Sequence, residues 1–283
     1  MGLSDSRRKT LFVVLFVICL SISVLAVQLE AVTPETVDFI VFSDVHIGRA
    51  LGSDGLTSYE RYSMLLGVVN QYKATFMVNC GDLTDGWEYS NLYQTSMYKN
   101  YLRLSKHASS YMINAKGNHD ANNTAYWSLI GSTTTMDKYG DILAVTIGCL
   151  ANSGVEWMTF GTTYAQYQAI AINRSIYSWG WNHTKYHFLF MHFEPNSAWN
   201  TFSVPSIITQ YCRYFDIVFC GHEGGKASYL LQQNATVIHA AHLGDGTLTT
   251  DTFLTVKIDT STRRIAVASV NFVNGAITPL YLS

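Results

Sequence analysis

Val37-Asp38-Phe39-Ile40-Val41-Phe42-Ser43-Asp44-Val45-His46 reads as a buried strand that stops on a polar end. Its apolar run has no polar alternation beyond Asp38, the signature of a strand covered on both faces. Downstream, residues 57–73 place Tyr62, Leu65, Leu66 and Val69 at helical spacing. Thr75 to Cys80 is a second apolar run, and it ends at Gly81-Asp82. Residues 88–107 return to helical spacing through Leu92, Met97 and Tyr101. Ser110-Tyr111-Met112-Ile113-Asn114 is a third strand, followed by Gly117-Asn118. Strand, helix, strand, helix, strand predicts parallel strands joined by right-handed crossovers. The polar motifs then fall at the carboxyl ends of the strands, where open α/β sheets bind ligands.

The remainder is less regular. Residues 121–165 are rich in Gly, Ser, Thr and Asn, with one strand candidate at Ile142–Ile147. Ala169-Ile170-Ala171-Ile172 and Tyr186–Met191 read as strands, the second ending at His192. Residues 203–213 read as a helix, and Phe215–Cys220 as a strand ending at Gly221-His222. Short alternating runs at 227–232, 235–241, 252–258 and 264–273 predict antiparallel strands and hairpins. With no internal repeat or long linker, residues 31–283 are expected to form one domain, two sheets packed between helices.

Composition narrows the class. The chain has 283 residues, 48% of them hydrophobic, enough for one sizeable core. Arg7-Arg8-Lys9 precedes an apolar stretch at 11–27, which reads residues 1–30 as a signal peptide or an amino-terminal membrane anchor and predicts export. Val24-Leu25-Ala26 offers a cleavage site. Sequons at Asn122, Asn173, Asn182 and Asn234 agree with export and mark candidate glycosylation sites. Outside the leader, Cys80, Cys149, Cys212 and Cys220 permit two disulfides, but Cys80 and Cys220 close apolar runs and read as small buried hydrophobes. The net charge is −2 and no basic run follows the amino terminus, so no nucleic-acid strand is expected as partner.

The strand ends carry the chemistry. Asp44 and His46 can converge on one ion as the chain turns. Asp82 can bridge two cations with its two oxygens. In Gly117-Asn118-His119-Asp120, the Asn carbonyl is a hard ligand, the imidazole can face a substrate, and Asp120 can fix its tautomer. His192 and His222 follow apolar runs in the same way. Asp, His and Asn donors gathered at strand ends suit two adjacent divalent ions, a device for attacking a phosphate ester with water.

The set resembles the calcineurin-like metallophosphoesterase family, whose pattern is D-x-H, G-D, G-N-H-D/E, a lone H, and G-H-x-H. The resemblance implies a four-layer αββα sandwich with two mixed β-sheets. It implies two metals: Asp44 and His46 on the first, Asp82 bridging, and Asn118, His192 and His222 on the second. His119 would act on the substrate with Asp120 behind it. The reaction implied is direct hydrolysis of a phosphate mono- or diester by a metal-bridging hydroxide, on a small-molecule or lipid substrate, with Mn, Zn or Fe as the ions.

One departure bears on the first metal. The last element reads Gly221-His222-Glu223-Gly224, so the family's second His is absent. Glu223, His239, His242 or water is expected in its place. The same departure leaves open a second class, a weakly metal-binding or non-catalytic protein on this fold. The aromatics Trp179, Trp181, His183, His187 and Trp199, with Trp87 and Tyr89, read either as a substrate rim or as core and sheet cover. Asp85 reads as the cap of the following helix.

Overall fold

The structure, a computed structural model, describes residues 38–50, 52, 55–86, 91–149, 170–195, 211–222, 225–232, 234–245 and 251–283. The apolar stretch 11–27, residues 203–210, Trp87, Tyr89, Trp199, Glu223 and Gly224 lie outside these. Among the described residues no helix is long and apolar enough to cross a membrane.

The first sheet begins as the sequence predicts. Strand β1 (Phe39–Phe42) lies parallel to β2 (Phe76–Asn79), and β2 to β3 (Tyr111–Asn114). Helix α1 (Ser58–Val69) and helix α2 (Asn91–Ser105) make the crossovers. A capping box starts α1: the Thr57 hydroxyl accepts from the Glu60 N–H, and the Thr57 N–H donates back to the Glu60 carboxylate. Helix α3 (Asn123–Leu129) follows β3, its first turn capped by the Asn122 side chain.

Strands β4 (Thr134–Tyr139), β5 (Ile142–Ile147), β6 (Tyr186–Met191), β7 (Ile217–Cys220), β8 (Ser228–Gln232) and β9 (Ala235–His239) form the second sheet, in the order β4-β5-β6-β7-β9-β8. A short helix α4 (Trp179–Asn182) precedes β6. The chain then returns to the first sheet with β10 (Thr252–Asp259), β11 (Arg264–Asn271) and β12 (Ile277–Leu282), giving β12-β11-β10-β1-β2-β3. Both sheets are mixed. Strands β5, β6, β7 and β9 run parallel, while β8–β9 and β10–β11–β12 are the antiparallel pairings expected of the carboxyl-terminal third.

Three apolar layers hold four layers of structure together. Alternate residues of a strand face opposite ways, so β1 sends Phe39 and Val41 between the sheets and Ile40 and Phe42 against the helices. Between the sheets, Phe39 meets Phe76, Phe188, Phe190 and Phe219 with ring centroids 4.8 to 5.9 Å apart. Outside the first sheet, Ile40, Phe42 and Met77 pack on Tyr62, Leu65 and Val69 of α1 and Tyr98 and Tyr101 of α2. Outside the second, Leu189, Met191 and Val218 pack on Ile172, Cys212 and Phe215. This is the expected αββα sandwich.

One reading needs correction. Residues 170–176 are helical, not the strand expected around 169–172; Ile172 is buried and Ile176 packs on the same cluster, one helical turn apart. Cys80 and Cys220 are buried, as their place at the ends of apolar runs suggests, and Cys80, Cys149, Cys212 and Cys220 are all unbridged. Strands β4 and β12 were not legible in the sequence. Each lies at the edge of its sheet, and neither carries an unbroken apolar run.

Candidate dinuclear metal centre

The carboxyl ends of β1, β2 and β3 in one sheet and β6, β7 and β9 in the other meet at one end of the sandwich. Backbone hydrogen bonds carry the strand pairing past the strand ends: Asp44 N–H donates to the Gly81 carbonyl, His46 N–H to Asp82, and Gly221 N–H to His192. The turns beyond are tight. Asp44, His46, Asp82 and His222 all adopt left-handed backbone, with φ of 57°, 49°, 52° and 67°. Non-glycine residues rarely take that conformation, and it persists where surroundings over-determine it, typically at functional sites.

Two donor sets face each other across one oxygen. Asp82 Oδ2 lies 3.6 Å from His46 Nε2 and 3.2 Å from His192 Nε2. On one side stand Asp44, His46 and His242; on the other, Asp82, His192 and His222; in each set the candidate ligand atoms lie within 4.8 Å of one another. Asn118 Oδ1 sits 2.8 Å and His222 Nδ1 3.2 Å from His192 Nε2, completing the second set. Asp82 Oδ1 is engaged elsewhere, accepting the His119 N–H at 2.8 Å. The bridge expected of two carboxylate oxygens is therefore offered by Oδ2 alone. The close approach requires glycine at 117, where a Cβ would stand 2.0 Å from Asp82 Oδ1.

Outer partners set which ring nitrogen points inward. His46 Nδ1–H donates to Asp85 Oδ1 at 3.1 Å, and His192 Nδ1–H to the Cys80 carbonyl at 3.0 Å. Each hydrogen bond turns Nε2 toward the pocket, the usual arrangement for a metal-bound imidazole. Electrostatics favour a cation. Burial would raise the Asp44, Asp82 and Asp85 carboxyls, but the surrounding imidazoles outweigh it and hold all three below the usual carboxylate range. Burial opposes charging of His46 and His192, yet the carboxylates raise both to about 9. His222, pushed down to about 4 by burial and by His192, stays neutral. Asp44 Oδ1 is buried with no hydrogen-bond partner. A buried charged oxygen without a hydrogen bond is costly unless a cation meets it. The donors fit two divalent ions.

The sequence-predicted residues Asp44, His46, Asp82, Asn118, His192 and His222 are thus brought together, and His119 borders them, its ring edge-on to His46 with centroids 4.6 Å apart. Asp120 is not behind His119. Its carboxylate accepts from the N–H groups of Gly117, Leu83 and Thr84 and from the Thr84 hydroxyl, at 3.0 to 3.1 Å, and so braces the Asp82 turn. The carboxylate beside His119 belongs to Asp85, whose Oδ1 lies 2.9 Å from His119 Nδ1. Asp85 is accordingly a site residue, and the Gly-Asp-x-x-Asp spacing was its signal. Trp181 stacks on His187 with centroids 3.8 Å apart, and Trp179 on His183. These rings cluster where β6 begins, at the opposite end of that strand from His192, so they do not rim the centre; Trp181 packs on the outer core of the second sheet, while Trp179 is exposed.

Solved structures share this architecture at low sequence identity. A dimetal phosphatase from Danio rerio superposes with a TM-score of 0.62 at 11% identity, covering 88% of this chain and 100% of that one. A purple acid phosphatase from yellow lupin seeds gives 0.57 at 10%, covering 88% and 54%. No curated protein sequence matches the chain. The calcineurin-like phosphoesterase family matches residues 37–225, about two thirds of the length and every predicted ligand. The order of donors along the sequence and their meeting around Asp82 Oδ2 agree with that match: this chain belongs to the calcineurin-like phosphoesterase family and is a hydrolase of phosphoric esters.

Proposed function

We propose that the chain hydrolyses a phosphate mono- or diester outside the cytosol, water attacking phosphorus directly with no covalent enzyme intermediate. The observation that carries this reading is the single oxygen, Asp82 Oδ2, shared by two inward-facing donor sets. Asp44, His46 and Asp82 would hold one ion, and Asp82, Asn118, His192 and His222 the other; nitrogen-rich donors suit Zn or Fe, and carboxylates admit Mn. Such a pair supplies Lewis-acid polarisation of phosphoryl oxygens and lowers the pKa of water toward neutrality.

The chain's own residues orient and protonate. The His119 side chain is 24% exposed, against 1% or less for His46, Asp82 and His192, so a substrate can reach its imidazole. Asp85 engages its Nδ1 side and leaves Nε2 for the leaving-group oxygen, as a general acid or an electrostatic clamp. Asp85 is held below the usual range, by its His119 and His46 partners against burial, and so stays anionic for that task.

The substrate is read as a small-molecule or lipid phosphate ester, because no basic run offers a track for a nucleic-acid strand. Export rests on Arg7-Arg8-Lys9 and the apolar stretch behind them. A reporter enzyme that works only outside the cytosol, fused behind residues 1–30, should be active; a silent fusion removes export from the proposal.

Turnover of p-nitrophenyl phosphate and bis(p-nitrophenyl) phosphate with Mn, Zn or Fe(II) tests the reaction. The unsubstituted chain should hydrolyse at least one ester, and Asp82→Ala should abolish it. Metal-dependent turnover that survives in Asp82→Ala would refute the assignment.

A further inference from the structure

We infer that His242 supplies the donor that Gly224 cannot, so that the first ion is held by Asp44, His46, Asp82 and His242. The inference deepens the two-ion reading and rests on it. His242 Nε2 stands 3.0 Å from His46 Nε2 and 3.4 Å from Asp44 Oδ1, the buried oxygen that has no hydrogen bond. Two imidazole nitrogens and a carboxylate oxygen converge there as donors would around one cation. His46 Nδ1–H is given to Asp85, so its Nε2 is the nitrogen turned toward His242 and Asp44.

The position of His242 is built into the chain. It pairs with Ser43 in an isolated parallel bridge just beyond β9. The Leu243 N–H donates to the Ser43 carbonyl and the Gly244 N–H to Asp44 at 2.7 Å, so the segment is strapped to the Asp44 turn itself. Ala241 and Leu243, on either side, are 1% and 2% exposed. Gly244 makes the strap possible, since a Cβ there would stand 2.8 Å from His46 Cδ2. The neighbouring candidate His239 is engaged elsewhere: its Nε2 lies 2.9 Å from Glu194 Oε2, which also accepts from Gln232.

The substitution has a structural consequence. Asp44, His46 and Asp82 all follow strands of the first sheet, whereas His242 follows β9 of the second. The first ion would then tie the two sheets together, as the second would through His192 and His222. A donor lost from the turn after β7 is replaced from the end of the adjacent parallel strand β9.

Metal stoichiometry tests this on the full chain. Calorimetric titration with Zn, with bound metal counted by elemental analysis, should give two equivalents for the unsubstituted protein. His242→Ala should lose one of them, its affinity falling by more than about 100-fold, beyond the roughly 10–100-fold loss expected of a residue that only orients a ligand. His239→Ala and Glu223→Ala should keep both. Two tight equivalents in His242→Ala, or the loss of one in Glu223→Ala, overturns the inference while leaving the two-ion reading intact. No bound metal in the unsubstituted protein overturns that reading itself, and the inference with it. Should His242→Ala not fold, histidine-selective 15N spectra of the unsubstituted protein decide. The His242 ring should shift with the same Zn equivalent as His46, and a ring that stays unmoved through both equivalents overturns the inference.

Discussion

Asp85, not Asp120, takes the place beside His119 that chain proximity suggests for Asp120. Asp120 follows His119 directly, yet its oxygens take four donors around the Asp82 turn. Asp85 lies 34 positions before His119 and touches both that ring and His46. Asp85→Asn should therefore lower kcat by about 10–100-fold, as expected when an orienting partner is lost, with the fold intact; steady-state kinetics beside a thermal melt would show it. Asp120→Ala should act the other way, lowering stability by about 3 kcal/mol in urea unfolding because buried N–H groups lose their acceptor. Equal effects of the two substitutions on stability would contradict this division. The candidate ligands were legible, since each stands at or shortly beyond the end of an apolar run. Their outer partners were not, because adjacent residues on a tight turn diverge while distant ones converge.

At the scale of elements, periodicity located β1, α1, β2, α2, β3, β6 and β7, whose apolar runs are long and bounded by polar residues. It failed around residues 169–172, where Ala, Ile, Ala and Ile in a row fit either period, and 170–176 are helical. It also missed the edge strands β4 and β12, whose exposed faces carry mixed side chains. The segment after β9 shows what an element contributes to a site. Gly244→Ala would press a methyl group into the His46 ring. Overpacking of that kind costs about 1–3 kcal/mol, and here it should also weaken uptake of the first metal equivalent. Calorimetric titration of Gly244→Ala with Zn checks this; unchanged affinity for both equivalents would show that the strap does not position His46.

Across the whole molecule, the site is the place where two sheets with separate outer cores converge. A ligand that binds only the folded state stabilises it by mass action, about 2.7 kcal/mol at a hundred times its dissociation constant. For a domain of this size that is roughly 5–10 °C in Tm. Zn or Mn should raise the melting temperature by this order and a chelator should reverse it. A Tm indifferent to both would mean that the ions do not join the sheets. The sandwich could be expected from the sequence through the resemblance carried by five short motifs. The pairing of β9 beside β7, which brings His242 to Asp44 and His46, depends on long-range packing that no local pattern encodes.

The most direct test of the account is a crystal structure of the metal-loaded protein with anomalous scattering recorded at the metal edge. Two peaks about 3.5–4 Å apart, flanking Asp82 Oδ2, are the predicted result. A single peak, or peaks away from Asp82, would contradict it.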